Sequence, residues 1–192
     1  MSAKSVITPA TLAKWSVNDY HCMIEAGILG ERRVELIDGE IWEMSPEGPL
    51  HRFINDSAAQ YLRELLKGLA KVFEAHPITL TNSEPEPDVA IVRLPETAYL
   101  TRHPAPNEIY WVIEISDRTL AIDLGRKKKA YALAGINEYW VIDVQAKKMK
   151  IFRSPVGDNY TDEREVTQGM VTPLAFSSLQ VSVERLLETD LS

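Results

Sequence analysis

Three residues of this chain are of types and spacing that could do chemistry together: Asp88, Glu114 and Lys127. Glu114 lies in EIYWVIEIS, a run that otherwise reads as buried strand. Alternation puts Tyr110, Val112, Glu114 and Ser116 on one face and Ile109, Trp111, Ile113 and Ile115 on the other. Apolar residues on both faces mark a central strand covered on both sides. An unpaired carboxylate there is costly or changes its protonation, so Glu114 calls for a cation, either a metal ion or an arginine at the strand's end. Asp88 opens a second apolar run, Val89 to Val92, after the proline-rich approach NSEPEP. Taken singly, it is a turn or strand-start aspartate. Two strands that each carry one carboxylate at an apolar edge can nonetheless bring hard oxygens onto one ion, and Mg²⁺ takes one or two carboxylates plus waters and substrate phosphates.

The third group comes from the helix after that strand. At ~100° per residue, Asp123, Lys127, Tyr131 and Ala134 share one stripe beside Leu124 and Ala130, so Lys127 turns toward the sheet. Arg126, Lys128 and Lys129 fall on the flanks and the opposite side, which predicts that RKKK is three solvated charges and one inward one. Facing inward, Lys127 either pairs with Asp123 four residues back or stands beside a metal site. There it would orient or deprotonate water, or stabilise charge on a phosphate.

These residues need elements to hold them. Ser16 caps a helix to about Ala26, stopped by Gly27. RRVELIDGEIWEMS predicts a hairpin around Asp38-Gly39. Ile54, Ala58, Tyr61, Leu62, Leu65 and Leu69 predict a long amphipathic helix from Pro49. Strands are expected at Ile78 to Thr81, Val89 to Val92, EIYWVIEIS, EYWVIDV and MKIFR, with a weaker one after a Gly157-Asp158 turn. Pro95 to Asn107 reads as an exposed, mobile loop. Thr119 caps a helix to Ala134 ended by Gly135, and a short terminal helix covers Val183 to Leu187. The helix between EIYWVIEIS and EYWVIDV has crossover length, so those strands can be parallel neighbours. The class is α/β (α+β): a central mixed sheet flanked by helices, with an N-terminal helix and hairpin, in one domain over 1–192 whose ends, 1–15 and 188–192, are flexible.

Taken in order, Pro87-Asp88, then Glu114-Ile115-Ser116, then Asp123, Lys127 and Tyr131 resemble the PD-(D/E)XK nuclease superfamily. Within it, RRVELIDGEIWEMSP and AGINEYWVIDV are similar to segments of the Uma family, a domain of unknown function grouped with restriction endonucleases. The resemblance runs from about Ser16 to Tyr160. It implies a restriction-endonuclease-like fold, Mg²⁺ or Mn²⁺, phosphodiester cleavage in nucleic acid, DNA above all, and a homodimer. It also implies roles: Asp88 and Glu114 on the metal with the Ile115 carbonyl as a further ligand, and Lys127 on the water or phosphate. Ser116 stands where the superfamily usually has its lysine, which in this family has moved to the helix position of Lys127. Glu35 matches an early family glutamate that completes the acidic cluster, or else is a hairpin charge facing solvent. His51 matches a family histidine, or is a surface residue. Tyr131 packs, with its hydroxyl near the site.

Composition bounds the alternatives. The net charge of −7 from 21 basic and 28 acidic residues argues against a broad polyanion-binding surface. It favours a rival reading, an inactive binding or regulatory module on the same fold; a hydrolase of another phosphate substrate is a second rival. The single cysteine, Cys22, excludes an internal disulfide. The apolar runs are too short for a bilayer, and MSAKSVITPA has no signal-peptide core, so a cytoplasmic protein is expected. No P-loop, dinucleotide fingerprint or G-x-S-x-G elbow is present. The four histidines show no zinc spacing.

Overall fold

A computed structural model describes residues 11–187. Helix α1 (Val17–Glu25) starts at Ser16 through a capping box, the Ser16 hydroxyl accepting the Asp19 amide and the Asp19 carboxylate accepting the Ser16 amide. Strands β1 (Val34–Ile37) and β2 (Glu40–Glu43) form the expected hairpin, with Asp38 and Gly39 at φ of 49° and 71°. Only glycine fits at 39, because a Cβ there would lie 2.8 Å from Lys14 Cβ. The crossing segment is tied down, Trp15 N–H donating to the Gly39 carbonyl at 2.9 Å. Of the ends expected to be flexible, 1–10 and 188–192 lie outside the described residues.

Helix α2 (Pro49–Leu65) buries Ile54, Ala58, Tyr61 and Leu62 as its periodicity requires. Leu69, expected on that stripe, lies beyond the helix and is half exposed; the chain closes at Leu66, whose carbonyl accepts the Leu69 and Ala70 amides. The next strand also departs from expectation. It is β3 (Lys71–Glu74), whereas Ile78 and Leu80 are buried in irregular chain, their amides donating to the Pro85 and Ser83 carbonyls. Those local bonds satisfy the backbone that a ladder would otherwise have to satisfy.

Strands β4 (Val89–Val92), β5 (Ile109–Ser116), β6 (Glu138–Asp143), β7 (Lys148–Val156) and β8 (Asn159–Val166) complete a mixed sheet ordered β3-β4-β5-β6-β7-β8. All neighbours are antiparallel except β5 and β6, which are parallel. The crossover between them is α3 (Leu120–Ile122), a π-turn at Asp123–Lys127, and α4 (Lys128–Leu133). The loop from 95 to 107 carries two one-turn 3₁₀ helices. A small ladder of β9 (Met170–Val171) and β10 (Val181–Ser182), which the sequence did not signal, precedes α5 (Val183–Leu187).

Helices α2 and α5 cover one sheet face over Ile91, Trp111, Ile113, Ile115 and Trp140; the crossover covers the other over Ala90, Val112, Tyr139 and Val141. The alternation of β5 holds from Trp111 to Ser116 and fails before it. Ile91 pairs with Trp111 but Val92 with Ile109, so Tyr110 is the extra residue of a bulge. Ile109 therefore packs with Val112, and Tyr110 packs on the opposite face. No helix among the described residues is long and apolar enough to cross a membrane.

Candidate active site

The residues singled out in the sequence meet at the C-terminal end of β5. Asp88 stands just before β4, and its Oδ2 accepts the Ile115 N–H at 2.6 Å, extending the β4–β5 ladder through a side chain. The N–H and C=O of one strand residue point to the same side, so the Ile115 carbonyl turns toward Asp88 as well. Asp88 Oδ1 lies 3.2 Å from His51 Nε2 at the start of α2, and His51 Nδ1 is buried with no protein partner. Glu114 is 2% exposed. Its Oε1 accepts the Tyr131 hydroxyl at 2.6 Å and stands 3.0 Å from Lys127 Nζ.

Lys127 also lies 3.4 Å from Glu35 Oε2. The solvent-facing alternative for Glu35 is not what the fold produces, since Glu35 is buried. The hairpin is hooked onto the segment before β4: Leu36 and Glu84 exchange backbone bonds, the Gly39 N–H donates to the Asn82 carbonyl, and the Glu86 N–H donates to Glu35 Oε2. Asp123 is buried one turn earlier on the crossover, its Oδ2 accepting the Ser116 and Thr119 hydroxyls at 2.6 Å each. No ion pair joins Asp123 to Lys127 among the described residues. Of the other three members of RKKK, Arg126 and Lys129 are exposed as expected and Lys128 is partly buried. Arg126 lies 3.3 Å from the Trp42 ring centroid, Lys128 sits over Phe152, and Lys129 is exposed but paired with Asp158. Each has a partner because the hairpin, β7 and the β7–β8 turn flank the crossover.

A narrow cleft of about 90 Å³ opens over these groups, walled by Trp42, Glu43 and Met44 of the hairpin side and by Thr119 and Ile122 of the crossover. Burial pushes the Glu114 carboxyl well above the usual carboxylate range; Lys127 opposes this, and Asp88, Asp123 and Glu35 reinforce it. Burial likewise raises Glu35 and Asp123, again against Lys127. For Lys127, burial disfavours the ammonium, but Glu114, Glu35, Asp123 and Asp88 outweigh it and raise the pKa. For His51, burial is outweighed by the hydrogen bond and charge of Asp88, and the imidazole is raised.

Seven carboxylates line the cleft against one lysine and one histidine. Among the described residues no three His, Cys, Asp or Glu side chains form a ready-made metal cage. Asp88, Glu114 and the Ile115 carbonyl instead offer oxygen donors of the kind that hard divalent ions take together with waters. The donor set fits a hard divalent ion.

Glu35, His51, Asp88, Glu114, Asp123 and Lys127 all line the cleft, while Ser116 and Tyr131 hold Asp123 and Glu114. Sequence reasoning missed Trp42, Thr119 and Tyr139. Trp42 had a signal, because an Asp38-Gly39 turn pairs it directly with Glu35. Thr119 read only as a helix cap, yet its hydroxyl serves Asp123. Tyr139, whose hydroxyl donates to the Asp123 carbonyl, had none.

A crystal structure of "a putative nuclease belonging to DUF820" from Anabaena variabilis ATCC 29413 shares this fold, with a TM-score of 0.65 and 18% identity over 82% of this chain and 91% of that one. No curated protein matches the chain. The model of the family Uma2, "Putative restriction endonuclease", matches residues 17–184. With most of its length so matched, the chain belongs to the Uma2 family.

Proposed function

We propose that this protein is a metal-dependent endonuclease that hydrolyses phosphodiester bonds in DNA. The observation that carries the reading is the convergence of Asp88, Glu114 and Lys127, from the approach to β4, from β5 and from the crossover, on one cleft. Asp88, Glu114 and the Ile115 carbonyl are the groups that would hold Mg²⁺ or Mn²⁺. Bound there, the ion supplies charge neutralisation at the phosphate and acidity for a water.

The chain's own groups divide the remaining work. The raised Lys127 favours an ammonium at neutral pH, so its part is a donor's. It stabilises charge on the phosphate oxygens as water attacks phosphorus opposite the leaving oxygen. Tyr131 and Lys127 together fix one oxygen of Glu114. His51 and the Ile115 amide hold both oxygens of Asp88 in place.

The acidic lining of the cleft favours a second reading, a binding module on this fold that does not cut. Incubating wild type and Asp88→Ala with single- and double-stranded DNA, in Mg²⁺ or Mn²⁺, separates the two. Metal-dependent cleavage by wild type that is abolished in Asp88→Ala supports the enzyme. Binding without cleavage by wild type supports the module, and equal cleavage by both proteins rejects this site.

A further inference from the structure

The crossover departs from α-helical geometry only at Asp123–Lys127, where the Lys128 N–H reaches back five residues to the Asp123 carbonyl. Single π-turns recur at functional sites, and a side chain that bonds a helix carbonyl perturbs the i→i−4 ladder. Here that side chain is Tyr139, whose hydroxyl donates to the same Asp123 carbonyl at 3.1 Å from a fully buried ring on β6. The turn sequence DLGRK holds no proline or serine to provide another cause. Gly125 does not demand the turn either, since a Cβ there would meet nothing within 4 Å and its φ is ordinary.

The ends of the turn are the two buried charges of the helix. In a regular α-helix, residues four apart are neighbours, and an Asp–Lys pair at that spacing attracts. Across this turn the pair is not made. The Asp123 carboxylate takes the Ser116 and Thr119 hydroxyls, and Lys127 Nζ goes to Glu114 at 3.0 Å and Glu35 at 3.4 Å.

We infer that Tyr139 is a positioning residue for Lys127: by holding the Asp123 carbonyl it keeps the π-turn open, separates Lys127 from Asp123, and directs the ammonium to Glu114 and Glu35. The part this plays in catalysis rests on the function proposed above; the placement of the amine does not.

Tyr139→Phe removes the hydroxyl and keeps the ring that packs against Tyr131, Phe152 and Tyr160. A crystal structure of the variant is expected to show the Lys128 N–H bonded to the Leu124 carbonyl and Lys127 paired with Asp123. An unchanged π-turn, with Lys127 still on Glu114 and Glu35, overturns the inference. In DNA cleavage, the variant is expected to lose roughly 10- to 100-fold in kcat, as misplacement of a reacting-site group does, with KM little changed. Adding Asp123→Asn, which removes the competing partner, is expected to recover much of that loss; a further fall would mean that Tyr139 only packs. If wild type cuts nothing, the proposed function fails, and the crystallographic comparison still decides the inference.

Discussion

Replacing Lys127 with methionine tests whether the charges of the cleft sit as the structure has them. The ammonium lies 3.0 Å from Glu114 and 3.4 Å from Glu35, and all three side chains are buried. Methionine keeps most of the volume but leaves two carboxylates without their near cation. At an effective dielectric of about 20, each contact attracts by roughly 5 kcal/mol, against which the relief of burying the lysine counts. Removing one partner of such a buried pair typically costs about 3–5 kcal/mol net. For a chain of this size each kcal/mol moves Tm by about 2–4 °C, so Lys127→Met is expected to melt about 6–20 °C lower at neutral pH. The pH dependence has a definite sign. The raised lysine contributes stability that is fully present below its ordinary 10.5 and is lost only as pH rises through its folded value. At the acid end, Glu35 and Glu114 are protonated in both states below their ordinary 4.5, so the ammonium has no charge to meet and the difference shrinks. Calorimetry from pH 4 to 8 in the presence of a chelator measures the neutral plateau and its decline toward acid. Equal melting at pH 7 to 8, or a deficit that grows toward pH 4, would refute the placement of these charges.

Glu35→Gln keeps the Lys127–Glu114 contact and removes a carboxyl that burial holds above its usual range. Stability from such a group is lost as pH rises through its folded pKa. The variant should therefore gain on wild type as pH rises above about 4.5 in urea titrations, with each tenfold change in proton affinity worth about 1.4 kcal/mol; a gain confined to pH 4 would contradict this. Arg153→Met strips the guanidinium from Glu138, which is 0% exposed at the end of β6 away from the cleft. It should cost about 3–5 kcal/mol in the same titration while leaving cleavage per folded molecule unchanged. Gly39→Ala drives a Cβ toward Lys14 at φ 71°, with an expected loss of about 1–3 kcal/mol and faster tryptic cutting after Lys14; unchanged proteolysis would show that the crossing there is loose.

The legible part of this molecule was whatever depends on period and neighbours in sequence. Alternation along β5, which holds from Trp111 on, put Glu114 on one face with Val112 and Ser116, and the helical period turned Lys127 toward the sheet even though a π-turn interrupts the helix at Asp123–Lys127. The bulge at Tyr110 shows where such a reading stops: one extra residue reversed the faces of everything before Trp111. Ile78 to Thr81 reads as strand in sequence, yet the backbone bonds of Ile78 and Leu80 close locally and the edge of the sheet falls to the more polar Lys71–Glu74. Glu35 could not be decided from its own hairpin, since what turns it inward is a bridge from Leu36 to Glu84, forty-eight residues later. Non-local contacts of that kind leave no periodic trace.

Ser116 draws these strands together. A lysine at that position, two residues after Glu114, would point from the strand to the crossover's side, as Glu114 does. The crossover helix already fills that side, and its own lysine reaches Glu114 from above. With the amine supplied by the helix, position 116 is free to hold the helix instead: its hydroxyl binds Asp123, which Thr119 and the π-turn also hold. Swapping the arrangement back tests this division of labour. Ser116→Lys with Lys127→Met puts an ammonium on the strand but removes the hydroxyl that anchors Asp123, so about the same charge sits in the cleft with a looser helix. If position alone mattered, the double variant would regain the stability that Lys127→Met loses. The expected result is a recovery clearly smaller than that loss, because a buried Asp123 deprived of one of its two hydroxyl donors costs a further ~1–3 kcal/mol.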